Sequence, residues 1–422
     1  MEARLAAAGL PPLPRTAWLE VDLDALTANL AAIRASLPGG VRVEPVVKAD
    51  AYGHGAIPVA AALEAAGADG LCVATIDEAL ALRDAGIELP VLVLYPVPPA
   101  FALQAARRRI SIAVGDVALL RRLAEAAGTA EPELAVHLEV ETGLGRGGVL
   151  LEGVVEAART IADAPGLALA GVWSHLQDPA SAVRSADQVR RFDAAVDALR
   201  TAGHLPATRH LAASGALVTG DAPPAEAVRP GLIVYGIVPD DLVGVASPLA
   251  EAVRPMLSLH ARPVRVAELP AGWGISYGPS FTTARPSRIA TLPLGYGDGW
   301  PRALSDRAGA LVRGIRVPLV GRVAMDAVMA DVTDVPGSPV SVDAEFVFLG
   351  AQGTGRITAH ELASARGTIA WEVVTSLSAR LPRVYHSAGV VTGLLTLAGR
   401  RAEWHASNSG TATSASSRST QS

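Results

Sequence analysis

One lysine stands out by its rarity and by its position. Lys48 is the only lysine of a chain that carries 36 lysine and arginine residues, and it follows the apolar run PVV and begins the stretch KADAYGHGA. Arginine replaces lysine at little cost where only charge is needed, but its guanidinium does not lose a proton in proteins. An amine that attacks a carbonyl must be neutral, so Lys48 indicates Schiff-base chemistry, with pyridoxal phosphate as the expected cofactor. The alternative is a surface lysine without function.

The elements that would position Lys48 follow a repeating pattern. Between residues 43 and 230, short apolar or β-branched runs alternate with Ala/Leu/Arg segments that have helical spacing. The strand-like runs are VEPVVK, GLCVAT, VLVLYP, ISIAV, LAVHLEV, LALAGVWSHL, ATRHLAAS and AEAVRPG. This alternation predicts an α/β fold with an N-terminal (β/α)8 TIM-like barrel, and a doubly wound open sheet is the alternative.

The candidate reactive residues lie where such a barrel would place them. Lys48, Arg146, His175, Ser214 and Arg229 each follow a predicted strand, in different repeats. Active sites of barrels collect at the carboxyl ends of the strands. The residue types and the strand pattern therefore support the same architecture independently.

A second domain is predicted after the barrel. Beyond residue 242 the runs alternate apolar and polar residues between Gly/Pro turns, which is typical of antiparallel strands. We expect an N-terminal extension over 1–14, the barrel over 15–242 and a C-terminal mainly β domain over 243–400. Residues 15–22 could pair into the β domain. The Ser/Thr-rich residues 401–422 are predicted to be a disordered tail.

Composition excludes several function classes. The net charge is −5 without a basic run, so no nucleic-acid partner is expected. No stretch reaches the roughly 20 apolar residues of a membrane-spanning helix, and no signal peptide is recognisable. The single cysteine excludes a disulfide framework and suits a reducing compartment, so a cytoplasmic protein is predicted. No metal site is expected.

Several motifs resemble those of alanine racemases, which are fold-type III pyridoxal phosphate enzymes. VVKADAYGHG resembles the family's cofactor-lysine motif, and HLEVETGLGRGG resembles the segment that carries its substrate arginine. RPGLIVYG, ISYGPSF, PLGYGDGWPR, VGRVAMDAVMADVTD and SARLPRVY resemble later motifs in the family's order. The resemblance spans roughly residues 15–390. It implies a head-to-tail homodimer in which each active site takes residues from the partner's β domain.

The resemblance also implies individual roles. Lys48 would hold the cofactor and act as one base, and Tyr277 of the second subunit would be the other. A tyrosine with the ordinary pKa of ~10 is a weak base, so a neighbouring cation would have to lower it. Arg229 would face the pyridine nitrogen, His175 would pack near the ring and bond to Arg229, and Arg146 would bind the substrate carboxylate.

Further residues are implied at the two ends of the bound molecules. The phosphate would contact Tyr52, Ser214 and the backbone N–H groups of Gly231 and Leu232. The substrate end would be lined by Met325 and Asp326 from the partner, and Tyr296 would help to form the entrance.

Three positions depart from the family pattern. Ala213 replaces an asparagine that often precedes the phosphate-binding serine. Trp371 replaces a tyrosine that touches the phosphate and narrows the entrance, so a hydroxyl donor is lost. Glu139 replaces a lysine that is often carbamylated, and it would supply a negative charge beside Arg146.

The predicted function is pyridoxal phosphate-dependent interconversion of L- and D-alanine by two bases, which would supply D-alanine for peptidoglycan. A racemase for serine or for several small amino acids is the closest alternative, because Trp371 alters the entrance. A non-catalytic pyridoxal phosphate-binding homologue and a decarboxylase of the same fold type are also considered. Tyr277 and Asp326 in a complete β domain argue against the non-catalytic homologue.

Overall fold

The structure is a computed structural model that describes residues 1–204 and 206–401. Strand β1 (Ala17–Asp22) precedes the barrel and belongs to the second sheet. Eight parallel strands follow it: β2 Arg42–Val43, β3 Leu71–Val73, β4 Val91–Val93, β5 Ile110–Val114, β6 Leu134–Glu139, β7 Leu167–Trp173, β8 Thr208–His210 and β9 Ala227–Val228.

These eight strands close into a ring. Strands β3 to β8 form one parallel sheet in sequence order, and β2 pairs in parallel with β9. Single parallel bridges complete the circle, from Val46 to Cys72 and from Ala213 to Arg229. Every strand therefore has two neighbours. The predicted barrel is confirmed, and the open-sheet alternative is excluded.

Helices precede and connect the strands. They are α1 Glu2–Ala7, α2 Leu23–Ala35, α3 Lys48–Gly53, α4 Ala56–Ala65, α5 Ile76–Asp84, α6 Ala102–Arg107, α7 Val117–Ala127, α8 Val154–Ala162, α9 Ala182–Thr201 and α10 Ser214–Thr219. Helix α7 illustrates how the sequence sets them. Asp116 caps its start by accepting from the N–H of Leu119, and Leu120, Leu123 and Ala127 are buried at helical spacing. Such capped, amphipathic helices hold each strand end, and hence each site residue, in register.

The second domain is built on an extended antiparallel sheet. Its strands are β10 Leu257–Ala261, β11 Arg265–Leu269, β12 Gly274–Ile275, β13 Phe281–Thr282, β14 Ser287–Leu292, β15 Gly309–Val312, β16 Ile315–Val320, β17 Val328–Asp331, β18 Phe346–Gln352, β19 Gly355–Ile357, β20 Arg383–Ser387, β21 Val390–Thr396 and β22 Gly399–Arg401. Its helices are α11 Pro248–Ala252, α12 Ala359–Arg366 and α13 Ala370–Thr375. The mainly β C-terminal domain is confirmed, with β12 and β13 as a separate hairpin.

The first strand of the chain lies inside this second sheet. Strand β1 pairs antiparallel with β10 and parallel with β20, so the chain enters the β domain before it builds the barrel. Trp18 and Leu19 are fully buried there. Residues 402–422 of the predicted tail lie outside the described residues. No helix in the described part of the chain is long and apolar enough to cross a bilayer.

Candidate active site

A cavity of about 310 Å³ opens at the carboxyl ends of the barrel strands. It is lined by most of the residues predicted for the barrel side of the site: Lys48, Tyr52, Arg146, His175, Ser214, Arg229, Gly231, Leu232 and Trp371. A larger cavity of about 580 Å³ lies where the barrel meets the β domain, around Asp22 and His360. Only the smaller cavity brings an amine, two guanidinium groups and an imidazole together, so we take it as the candidate active site.

The lysine stands at the start of a strained turn. Ala49, Asp50, Ala51 and Tyr52 all have left-handed backbone angles, with φ between 50° and 54°. For residues other than glycine this conformation costs roughly 1–2 kcal/mol each. The Glu78 carboxylate offsets part of that cost by accepting from the Ala49 N–H at 2.6 Å, and Asp50 accepts from Ala56 N at 2.7 Å.

The turn is also held by packing. The His54 ring nitrogen Nδ1 lies 2.8 Å from the carbonyl oxygen of Ala51, and the Tyr52 ring packs edge-on against Tyr235. Gly53 lies so close to helix α13 that a Cβ would be 2.3 Å from the Val374 carbonyl oxygen. Strain held in place by surrounding contacts is typical of functional sites, and here it fixes where Lys48 leaves the strand.

The environment of Lys48 favours a neutral amine. Burial lowers the pKa of Lys48, and the nearby positive charge of Arg146 lowers it further. Glu78 and Cys72 oppose these effects. A lowered pKa makes the unprotonated, nucleophilic form more accessible at neutral pH.

Arg229 is a buried cation held by neutral partners. Its Nη1 donates to His210 Nδ1 and, at 3.0 Å, to the His210 carbonyl, and its Nη2 donates to the carbonyls of Ser174 (2.8 Å) and Leu211 (3.4 Å). Its guanidinium also lies over the Trp173 ring, 4.8 Å from the centroid. Burial lowers the pKa of Arg229 to about 10, so it remains charged at neutral pH. Among the described residues no acceptor takes the remaining Nε hydrogen.

The predicted bond between His175 and Arg229 is wrong, because His210 takes that position. Strand β8, which carries His210, lies between the strands that precede His175 and Arg229. Arginine can only donate, so His210 Nδ1 must accept, and its proton must be on Nε2. Nε2 lies 2.8 Å from His137 Nδ1. Sequence reasoning missed His210, although it lies within the predicted strand ATRHLAAS.

His175 still lines the cavity, as a neutral imidazole. Burial lowers the pKa of His175 to about 3, and the charges of Arg229, Arg146 and Lys48 act in the same direction. The Gln188 side chain donates to the His175 carbonyl at 3.0 Å and so fixes the backbone. His175 can therefore pack or accept a hydrogen bond, but it is not a base of useful strength at neutral pH.

Arg146 and Glu139 form an ion pair at the cavity mouth. Arg146 Nη2 lies 3.3 Å from Glu139 Oε1, and the Glu139 side chain is 14% exposed. Burial raises the pKa of Glu139, while the charge of Arg146 opposes this shift. The guanidinium also lies 5.7 Å from the centre of the Tyr95 ring, a contact that the sequence did not suggest.

The opposite end of the cavity is rich in hydrogen-bond donors. Ser214 Oγ accepts from the Gly231 N–H at 2.8 Å, and a Cβ on Gly231 would lie 2.8 Å from the Tyr52 hydroxyl. Burial raises the pKa of Tyr52 well above its usual value, so the hydroxyl keeps its proton and can donate. Ala213 offers no side-chain donor, and Trp371 offers an indole where a phenol hydroxyl was expected. The wall can thus receive a compact acceptor such as a phosphate.

The three residues predicted to act from a partner subunit and the predicted entrance residue are not among the described residues that line this cavity. They are Tyr277, Tyr296, Met325 and Asp326, and all belong to the β domain. Tyr277 is 74% exposed, and Tyr296 and Met325 are 43% and 53% exposed. Within one chain these four side chains are exposed at the surface of the β domain.

Two family models match the chain, one over each domain. Residues 21–239 match the alanine racemase N-terminal domain, and residues 256–385 match the alanine racemase C-terminal domain. The chain therefore belongs to the alanine racemase family of isomerases.

Individual relatives agree over nearly their whole length. The alanine racemase of Desulfosudis oleivorans is 39% identical over 381 residues, which cover 88% of this chain and 96% of the relative. That of Symbiobacterium thermophilum is 42% identical over 373 residues, covering 88% and 97%. A crystal structure of alanine racemase from Bacillus anthracis with bound L-Ala-P is 34% identical, with a TM-score of 0.86 over 92% of this chain and 99% of that one. Alanine racemase from Streptomyces coelicolor A3(2) is 37% identical, with a TM-score of 0.81 over 88% and 98%.

Proposed function

We propose that this enzyme interconverts L- and D-alanine with pyridoxal phosphate as cofactor. The observation that carries the proposal is the presence, in one cavity, of the chain's only lysine and of a buried arginine whose Nε–H has no acceptor among the described residues. The names of the relatives support alanine as the substrate. Belonging to the family supports the cofactor.

The residues present fit pyridoxal phosphate. Lys48 supplies an amine of lowered pKa, and Arg229 Nε supplies a donor for the ring nitrogen. At the other end, the hydroxyls of Tyr52 and Ser214 would supply donors for the phosphate, and the Gly231 N–H, which donates to Ser214 Oγ, orients the serine. When bound, the cofactor would withdraw electrons from the substrate Cα and so make its proton removable.

The chain's residues divide the remaining work. Arg146 would orient the substrate through its carboxylate, with Glu139 holding the guanidinium in place. Arg229 keeps its protons and so would donate a hydrogen bond to the ring nitrogen without protonating it. This limits electron withdrawal and should suppress transamination.

Racemisation needs a proton donor and acceptor on each face of the reacting carbon, and Lys48 can serve only one face. His175 and Tyr52 have pKa values far from neutral, in opposite directions. One carboxyl group, that of Asp241, also lines the cavity, and it is exposed to solvent. We therefore propose that Tyr277 of a partner subunit is the second base and that the active unit is a head-to-tail homodimer.

The decisive experiment is substitution of the lysine. Purified Lys48→Arg protein should fold normally, lose the absorbance of the bound cofactor and lose racemisation of L-alanine measured by chiral chromatography. Borohydride treatment of the wild-type holoenzyme should fix the cofactor on the Lys48 peptide. Fixation on another amine, such as the N-terminus alone, would contradict the assignment.

A broader small-amino-acid racemase is the second candidate, and Trp371 in the cavity wall favours it. Trp371→Tyr should restore a phenol hydroxyl and change the ratio of kcat/KM for L-serine and L-alanine. An unchanged ratio would show that this part of the cavity wall does not determine the preference for alanine. The supply of D-alanine for peptidoglycan and a cytoplasmic location remain part of the proposal and rest on the family and on the single cysteine.

A further inference from the structure

A buried carboxylate in the β domain joins two arginines. The Asp298 side chain is fully buried, and Arg15 contacts it twice, at 2.6 Å to Oδ1 and 3.0 Å to Oδ2. Arg380 Nε lies 3.4 Å from the same Oδ1. A buried carboxylate between two guanidinium groups is paired, and the bidentate contact with Arg15 fixes its orientation.

Arg380 extends this network to the surface. Its Nη2 donates to Asp326 Oδ1 at 2.6 Å, and the Asp326 side chain is 61% exposed. The planar guanidinium of Arg380 thus bridges the buried carboxylate of Asp298 and the exposed carboxylate of Asp326. Because the donor fork of arginine is rigid, Asp298 effectively sets where Asp326 points.

Two glycines bring the neighbouring loops against this guanidinium. A Cβ on Gly297 would lie 2.3 Å from Arg380 Nη1, and a Cβ on Gly295 would lie 2.3 Å from the Ala324 carbonyl oxygen. The backbones are joined directly, since Tyr296 N donates to Ala324 O at 3.0 Å and Gly297 N to Met325 O at 2.9 Å. The segment 295–298 and the loop 324–326 therefore form one unit, here called the Arg380 platform. The Arg380 guanidinium packs against this unit at Gly297.

We propose that Arg380 is a positioning residue, which holds Asp326 and the Arg380 platform in the geometry that completes the partner subunit's active site. The inference rests on the proposed function, a head-to-tail homodimer with shared active sites, in which Met325 and Asp326 of the partner are expected at the substrate end. Among the described residues these groups do not line the cavity that contains Lys48, yet Arg380 ties Asp326 to the buried carboxylate of Asp298. Such ordering before assembly is what a shared active site requires.

Arg380→Gln should lower kcat/KM for alanine by roughly tenfold, mainly through KM, as expected when a charge-assisted contact that orders a binding surface is lost. Arg380→Lys keeps the charge but cannot join both aspartates, so it should restore thermal stability more than kcat/KM. Arg285→Gln is the matched control. It removes an exposed β-domain arginine that is paired with Asp334 at 2.6 Å, outside the platform.

Mixed dimers test where Arg380 acts. A Lys48→Ala chain mixed with a Tyr277→Phe chain forms one site that has both bases, with Tyr277 supplied by the Lys48→Ala chain. Arg380→Gln on the Lys48→Ala chain should reduce the recovered activity roughly tenfold. On the Tyr277→Phe chain it should leave recovery unchanged, because that β domain faces the site without lysine.

Each outcome decides the question. Equal losses in both placements, or no loss in either, would overturn the positioning role while leaving the shared site intact. Absence of recovery in the parent mixture, with mixing proven by mass spectrometry, would refute the trans arrangement and the Arg380 proposal with it. Arg380→Lys in the same two placements gives the same comparison if the glutamine variant does not fold.

Discussion

Neutralising Glu139 should misplace the arginine that we assign to the substrate carboxylate. In Glu139→Gln an amide oxygen replaces the carboxylate oxygen 3.3 Å from Arg146 Nη2, so the geometry of the contact can persist while the charge is lost. A charge-assisted hydrogen bond contributes roughly 1.5–3 kcal/mol and a neutral one about 1 kcal/mol. The Glu139 side chain is 14% exposed but that of Arg146 is 37% exposed, so screening by solvent keeps the difference at roughly 1 kcal/mol. We therefore expect kcat/KM for L-alanine to fall roughly fivefold to tenfold.

The assay is steady-state racemisation over a range of pH. Burial raises the pKa of Glu139, so in the wild type the carboxylate is ionised above that raised pKa and protonated below it. The advantage of the wild type over Glu139→Gln should therefore be complete at alkaline pH and shrink as the pH falls through the pKa of Glu139. Glu133→Gln, at the exposed start of the same strand, is the control for the loss of one charge. Equal kcat/KM of Glu139→Gln and wild type at pH 8 would show that the charge does not position Arg146.

Three further predictions follow from other parts of the structure. Activity should be indifferent to added bicarbonate, because Lys48 is the chain's only lysine and no other can be carbamylated; activation measured on bicarbonate addition would refute this. Gly231→Ala should raise the Kd for pyridoxal phosphate in apoenzyme titrations, since its Cβ would lie 2.8 Å from the Tyr52 hydroxyl, and an unchanged Kd would remove that wall from the binding site. Burial alone would raise the pKa of Glu20, but contacts with His386, His260 and Trp18 lower it to about 2. Glu20→Gln should thus cost up to about 3 kcal/mol of unfolding free energy above pH 4.5, with the difference vanishing as the pH falls towards 2, and denaturant titrations at pH 7 and pH 3 measure it.

The barrel could be predicted because its strands and helices leave a pattern of apolar residues in the local sequence. The strands are short apolar runs and most are followed by a helix, and both features depend on residues near in sequence. The barrel-side residues Lys48, Arg146, Ser214 and Arg229 could be proposed because each follows such a run, and parallel strands bring their carboxyl ends to one edge. The β domain could be predicted as a class, but its strand order could not, because antiparallel pairing over long separations leaves no local signal.

The error at His175 has a geometric cause. His175 follows β7 and Arg229 follows β9, and β8 lies between these two strands in the barrel. His210, in β8, is therefore the histidine that contacts Arg229. The sequence shows which residues end strands, but the side chain that meets Arg229 depends on the order and twist of the strands. The same holds for Arg380, which lies 82 residues from Asp298 along the chain.

The sequence by itself determined the chemistry that the protein can perform and the class of scaffold that carries it. A chain with one lysine can place a neutral amine at only one side chain, and eight alternating units can close into a barrel. Only the tertiary structure decided the left-handed turn from Ala49 to Tyr52, which contains no glycine that would predict it. The conformational cost of this turn is offset by Glu78 and by packing against helices that are distant in sequence. The tertiary structure also decided which neutral groups surround Arg229 and which buried carboxylate orders Asp326. Electrostatic partners of this kind act through space over a few ångströms, and their distance along the chain is set by the fold alone.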